Sequence, residues 1–181
     1  MTRLRIADAA LVRGGRLLFE DLDLELGAGE AAHVTGANGC GKSSLIRMVA
    51  GLLRPSAGTI ERADVALADD SLALDRELPL SRALAFWGGP RLNEAKAAFG
   101  LDRLGDVPVR LLSTGQARRA QLARVAASEA PLWLLDEPMS GLDREGVNQL
   151  DAAIAFHLRG GGAVLAASHV ALGGSWREVA L

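Results

Sequence analysis

The stretch Gly36-Ala37-Asn38-Gly39-Cys40-Gly41-Lys42-Ser43 constrains this chain more than any other. It has the form G-x-x-x-x-G-K-S, a loop whose backbone N–H groups wrap around the phosphates of a nucleotide. Gly36, Gly39 and Gly41 let the main chain turn sharply and approach an anion with no Cβ in the way. Lys42 is expected to reach the β- and γ-phosphates, and the Ser43 hydroxyl to sit on Mg²⁺, with Ser44 directly behind it.

A loop of this kind is credible only between a strand and a helix. Ala31 to Thr35 reads as a buried strand feeding the loop. Ser44 to Ala50 has helical spacing and is stopped by Gly51. Upstream, Leu4 to Val12 and the strictly alternating Leu22 to Leu26 predict two strands joined across Gly14-Gly15. Downstream, Thr59 to Arg62 and Val65 to Ala68 read as short strands. Leu80 to Trp87, Asn93 to Phe99, Gln116 to Ala127 and Arg144 to Leu158 read as helices, with a loosely patterned connector over Leu101 to Leu112. Leu132 to Leu135 and Ala163 to Ala167 are wholly apolar, as central parallel strands should be, and a short strand is expected near Trp176 to Leu181. Strands alternating with helices argue for an α/β fold with a parallel core sheet.

Three further constellations carry chemistry. Asp136 and Glu137 close the apolar strand, at the carboxyl end of the sheet, where open α/β folds bind ligands. Asp136 is expected to hold Mg²⁺, and Glu137 to act as general base on the water that attacks the γ-phosphate. Ser113-Thr114-Gly115-Gln116 opens a helix, so it reads either as a second anion site or as an ordinary capping box. Spacing alone does not separate the two. Ser168-His169 follows the last apolar strand, where a histidine can hydrogen-bond a phosphate oxygen. His33 is expected to be structural. His157 lies late in a helix, where positive charge is tolerated.

Composition removes several alternatives. Lys and Arg number 20 against 22 Asp and Glu, a net charge of -2 without the basic field a nucleic-acid partner demands. Cys40 is the only cysteine, which excludes an internal disulfide and a thiolate metal cluster. No run approaches the roughly 18 apolar residues of a membrane span, and the Met1 end shows no signal-peptide pattern, so a soluble cytoplasmic chain is expected.

The order of these motifs resembles the nucleotide-binding subunit of ABC transporters. The glycine loop is followed by Leu112-Ser113-Thr114-Gly115-Gln116, the apolar strand with Asp136-Glu137, Ser140-Gly141-Leu142-Asp143, and His169. The resemblance covers nearly the whole chain. It implies a P-loop NTPase of ABC type: a mostly parallel core sheet, an antiparallel β edge and a small helical subdomain at about 80–128, in one domain over 1–181. It implies two copies paired head to tail around two ATP molecules, with Ser113, Thr114, Gly115 and Gln116 of one copy closing the Gly36–Ser43 loop of the other. Asp143 would reach toward the opposite site. Lys42, Glu137 and His169 would act on the γ-phosphate and the attacking water. The partner would be an integral membrane permease, with the subunit peripheral on the cytoplasmic face of the bacterial inner membrane.

Two positions depart from that pattern. The family stacks an aromatic residue on adenine; here the matching position is Arg13, whose guanidinium plane can also stack on a base. Where the family has a glutamine beside Mg²⁺ and the membrane partner, this chain offers Asp69 or Asp70, with Asp70 the expected metal neighbour. A narrower resemblance, to the haem exporter ATP-binding subunit of bacterial cytochrome c maturation, rests on three stretches. These are Val107-Pro108 leading into Leu112–Gln116, Ala130 to Pro138 with its Trp133, and Gly160 to His169. It implies a motor for haem delivery that does not itself bind haem. The alternatives are a motor for another cargo, a non-transport ABC ATPase, or a nucleotide-binding regulatory module. Phe86 and Trp87 could meet a helix of the permease or belong to the core.

Overall fold

The computed structural model describes residues 1–181. The chain opens with β1 (Thr2–Arg13) and β2 (Arg16–Gly27), an antiparallel pair turning at Gly14-Gly15. β3 (Ala31–Thr35) leads through the glycine loop into α1 (Lys42–Val49). β4 (Ala57–Arg62) returns to pair with β1, and β5 (Val65–Ala68) begins the rest of the fold. Then come α2 (Leu80–Trp87), α3 (Leu92–Ala98), α4 (Thr114–Ala127), β6 (Leu132–Asp136), α5 (Arg144–Arg159), β7 (Ala163–Ala167) and β8 (Arg177–Ala180). The connector before α4 is not shapeless: Asp102–Leu104 and Val109–Leu111 form single 3₁₀ turns.

Two sheets result. Five strands pair in parallel in the order β5-β6-β7-β3-β8, and three pair antiparallel in the order β2-β1-β4. The antiparallel edge expected from the sequence is therefore a sheet of its own. Parallel strands are buried on both faces, so their residues alternate between two cores. Leu132, Leu134, Leu165 and Val34 face α1 and the antiparallel sheet, against Leu4, Ile6, Leu24, Leu45 and Ile46. Trp133, Leu135, Val164 and Ala166 face the opposite way, against Leu122, Leu150 and Ile154 of α4 and α5, a core continuous with Leu80, Leu84 and Phe99.

Local signals start the helices. Gly41, with φ +119°, closes the glycine loop and starts α1; a Cβ there would lie 3.2 Å from Leu18. The capping box of α4 is complete: Gln116 N–H donates to Ser113 Oγ at 3.2 Å, and Ser113 N–H to Gln116 Oε1 at 2.9 Å. Asp143 caps α5, its Oδ1 accepting from Gly146 N–H at 2.8 Å.

One expectation is corrected and one of two open readings is removed. His157 is not a charged helix end. Its ring stacks on Trp133 with centroids 4.0 Å apart, Nε2 donates to the Ala163 carbonyl, and burial lowers its pKa to about 4. The strand beneath the helix, invisible to helical spacing, decides its charge. Phe86 is not core either: it is 81% exposed, and Trp87 beside it 48%. Both sit at the end of α2, past the buried Leu80, Ala83 and Leu84.

Candidate functional site

The glycine loop leaves the end of β3 between β7 and β8. Gly36 has φ +141°, and a Cβ there would fall 2.7 Å from the Leu181 carbonyl oxygen and 2.8 Å from Cys40 Sγ. Only glycine fits. Lys42 is buried, and its Nζ donates to the carbonyls of Gly36 (2.8 Å) and Ala37 (3.1 Å), which holds the ammonium over the loop.

Ser43 Oγ donates to Asp136 Oδ1 at 3.0 Å, joining the start of α1 to the end of β6. Asp136 is buried. Burial pushes its carboxyl above the usual carboxylate range, while the hydrogen bond from Ser43 pulls it back. Glu137 follows with φ +47°, a left-handed backbone that side chains avoid. Its N–H donates to the Ala167 carbonyl at 2.8 Å, anchoring it to the end of β7. Two residues beyond Ala167, His169 Nδ1 donates to Glu137 Oε2 at 2.7 Å. The apolar strands thus end side by side, and their polar tips meet. His33 on β3 joins this corner by donating from Nε2 to the Ser168 carbonyl at 3.0 Å.

Two cavities share Ser43 and Glu137. One, about 420 Å³, is lined by Arg13, Asn38, Gly39, Gly41, Lys42 and Ser44. Arg13 Nη1 reaches Ser44 Oγ at 3.5 Å, which puts it on the wall of the loop's cavity. The other, about 510 Å³, is lined by Arg47, Asp69, Asp70, Thr114, Arg118 and Asp136. Asp70 lies here, tied to Arg47 Nη2 at 2.5 Å. A larger cavity of about 570 Å³ lies elsewhere, against Trp133, Phe156 and His157, and contains none of these residues.

Ser113, Gly115 and Gln116 line neither shared cavity. Gly115 stands instead beside Gly141, whose carbonyl oxygen would be 2.9 Å from a Cβ there. Asp143 is spent on capping α5 within its own chain. Arg118 and Arg47 are the residues that sequence reasoning missed. Arg47 had a signal: one helical turn after Ser43, it shares that face of α1. Arg118 had only its place two residues after Gln116. Its guanidinium is largely buried, which lowers its pKa against the opposing pull of Asp136, Asp69 and Glu137.

The arrangement combines an anion cradle, oxygen donors from Ser43 and Asp136 suited to a hard cation, and a carboxylate held by an imidazole beside both. It can bind a nucleotide triphosphate and direct a water at its terminal phosphorus. Known proteins agree. The ABC transporter family profile matches residues 19–140. The "Cytochrome c biogenesis ATP-binding export protein CcmA" of Novosphingobium aromaticivorans is 59% identical over 164 residues, covering 90% of this chain and 86% of the relative. Its namesake in Sphingopyxis alaskensis is 53% identical over 176 residues, covering 93% and 91%. A solved ATP-binding subunit of an ABC transporter superposes with a TM-score of 0.84 at 25% identity, covering 93% of this chain and 80% of that one. The chain belongs to the ABC transporter family, among its cytochrome c biogenesis ATP-binding export proteins.

Proposed function

We propose that this chain is the ATP-hydrolysing motor subunit of a membrane ABC transporter complex that works in haem export and delivery for c-type cytochrome biogenesis. The observation that carries the hydrolysis is the 2.7 Å hydrogen bond between His169 and Glu137 at the mouth of the glycine loop. The cargo reading is supported by the relatives at 59% and 53% identity, whose names place them in cytochrome c biogenesis and export.

In this reading the loop from Gly36 to Ser43, with Ala37, Asn38, Gly39, Cys40 and Gly41, cradles the β- and γ-phosphates, and Lys42 turns from its carbonyl partners to the γ-phosphate. Glu137 accepts a proton from water as the water oxygen bonds to the γ-phosphorus and the bond to the bridging oxygen breaks, leaving ADP and phosphate. His169 holds that carboxylate in place through Nδ1. Ser43 and Asp136 would hold Mg²⁺, with Asp70 beside them, and the ion when bound neutralises charge on the phosphates. Arg13 stacks on adenine from the loop side.

The same reading treats 1–181 as one nucleotide-binding domain with a helical subdomain at about 80–128. It works as a head-to-tail pair, peripherally on the cytoplasmic face of the inner membrane, with no nucleic-acid partner and no haem of its own. No helix is long and apolar enough to cross a membrane. In this reading the permease is an integral membrane partner. The exposed Phe86 and Trp87 support its docking there, since Trp87 Nε1 donates to the Ala73 carbonyl in the loop that carries Asp69 and Asp70.

Complementation tests the proposal. Expressed in a bacterium lacking its own cytochrome c biogenesis ATP-binding export protein, the chain should restore covalently haem-stained c-type cytochromes, and Lys42→Ala should not. Restoration by Lys42→Ala, or none by the intact chain despite assembly with the permease, overturns it.

A further inference from the structure

Glu137 has a backbone that its side chain disfavours, and it follows the last residue of its strand. Something must hold it there. The turn contributes one bond, from Ser140 N–H to the Glu137 carbonyl at 3.0 Å. The end of β7 contributes another, from Glu137 N–H to the Ala167 carbonyl at 2.8 Å. The side-chain restraint on the main chain comes from α4. Arg118 Nη2 donates to the carbonyl of Asp136 at 2.5 Å and to that of Glu137 at 2.6 Å, and Nε donates to the carbonyl of Pro138 at 3.3 Å. Three successive carbonyls, centred on the left-handed residue, are bound by one rigid planar group. The remaining donors of Nη1 go to the Asp69 carbonyl at 2.9 Å and to Gln121 Oε1. A guanidinium has five N–H groups, and all five are used. Gln121 in turn donates to the Asp69 and Ser71 carbonyls, which fixes the fork itself.

We infer that Arg118 is a positioning residue for hydrolysis, whose guanidinium holds the left-handed turn at Glu137 so that the carboxylate meets His169 and the attacking water. The inference rests on the reading of Glu137 as general base. Arg118 touches no reacting atom; it acts through the main chain on either side of the base. A planar fork suits this task because its donors diverge at fixed angles, whereas an ammonium presents a point charge. None of these bonds reaches Gly36 to Lys42, which cradle the phosphates; Asp136, whose carboxylate accepts from Ser43, is the one point where the fork meets the loop.

The test is steady-state ATP hydrolysis by the full chain in complex with its permease, comparing Arg118→Gln, Arg118→Lys, Glu137→Gln and the double variant Arg118→Gln/Glu137→Gln. Arg118→Gln should lower kcat by roughly 10- to 100-fold while KM for ATP moves less than threefold, as expected when a reacting group is misplaced by about an ångström. Arg118→Lys should fall between it and wild type. It guards against the case in which the glutamine variant fails to fold. The double variant should be no slower than Glu137→Gln alone, because the two residues act as one unit. Wild-type kcat in Arg118→Gln, a parallel loss of kcat and ATP affinity, or additive losses in the double variant would each overturn the inference. Normal turnover by Glu137→Gln is a different failure: it removes the base itself, whatever Arg118 does.

Discussion

His169 Nδ1 and Glu137 Oε2 are 2.7 Å apart, brought together from the ends of neighbouring strands β7 and β6. The first prediction concerns this pair. Glu137→Gln should cut hydrolysis by at least ~100-fold, the scale of a lost general base, while the chain still binds ATP and accumulates as an ATP-bound dimer. Phosphate release and gel filtration with ATP read the two effects. His169→Ala should lower turnover in the same direction by less. Unchanged hydrolysis in Glu137→Gln would remove the assigned base.

Ser113→Arg should abolish turnover from the partner's side of the site. It also deletes the capping box, at a cost of about 1 kcal/mol of stability, seen as a lower Tm. Equilibrium binding of ATP to each subunit should survive, because Ser113 lines neither cavity beside the glycine loop. Activity that persists in the variant would rule out the head-to-tail pairing.

Arg13 lines the loop cavity and reaches Ser44 at 3.5 Å. Its loss to alanine should weaken ATP about fivefold, ~1 kcal/mol for a stacked guanidinium, and inorganic triphosphate less than twofold. Competition titrations compare the two ligands. Equal losses would mean that Arg13 serves the phosphates alone.

His157 makes stability depend on pH. Burial depresses its pKa from 6.5 to about 4, so between these values the unfolded chain binds a proton that the folded chain refuses. The contribution is fully present above pH 6.5 and is lost as pH falls toward 4. Partial exposure screens it, and the loss should be about 2 kcal/mol or less. Thermal melts of wild type and His157→Phe over this range should show the steeper acid decline in wild type. Parallel curves would show that the ring is not held neutral.

Much of this molecule was legible in its sequence because its signals are local. Wholly apolar runs such as Ala163 to Ala167 have the composition of doubly buried strands, and the glycine loop specifies its own backbone. Ser43, Asp136, Glu137 and His169 could be placed together because each ends or follows a core element, and strand ends in a parallel sheet converge. What stayed hidden depends on contacts across the chain. Arg118 binds carbonyls, which have no sequence signature, 18 and 19 residues away. The charge of His157 is decided by Trp133 and the burial around it, and helical periodicity carries no word of either. The same periodicity cannot say that α2 stops burying its face before Phe86.

The capping box of α4 bears on what one copy can show another. Ser113 Oγ accepts from the Gln116 N–H and Gln116 Oε1 from the Ser113 N–H, while the Ala117 N–H goes to the Ser113 carbonyl. Of the donors that open a helix, those of Thr114 and Gly115 remain. In the proposed head-to-tail pairing, the surface offered to a neighbour's phosphate would therefore be spelled in main chain, an alphabet that most substitutions leave unread and that only a bulky or backbone-altering residue can erase.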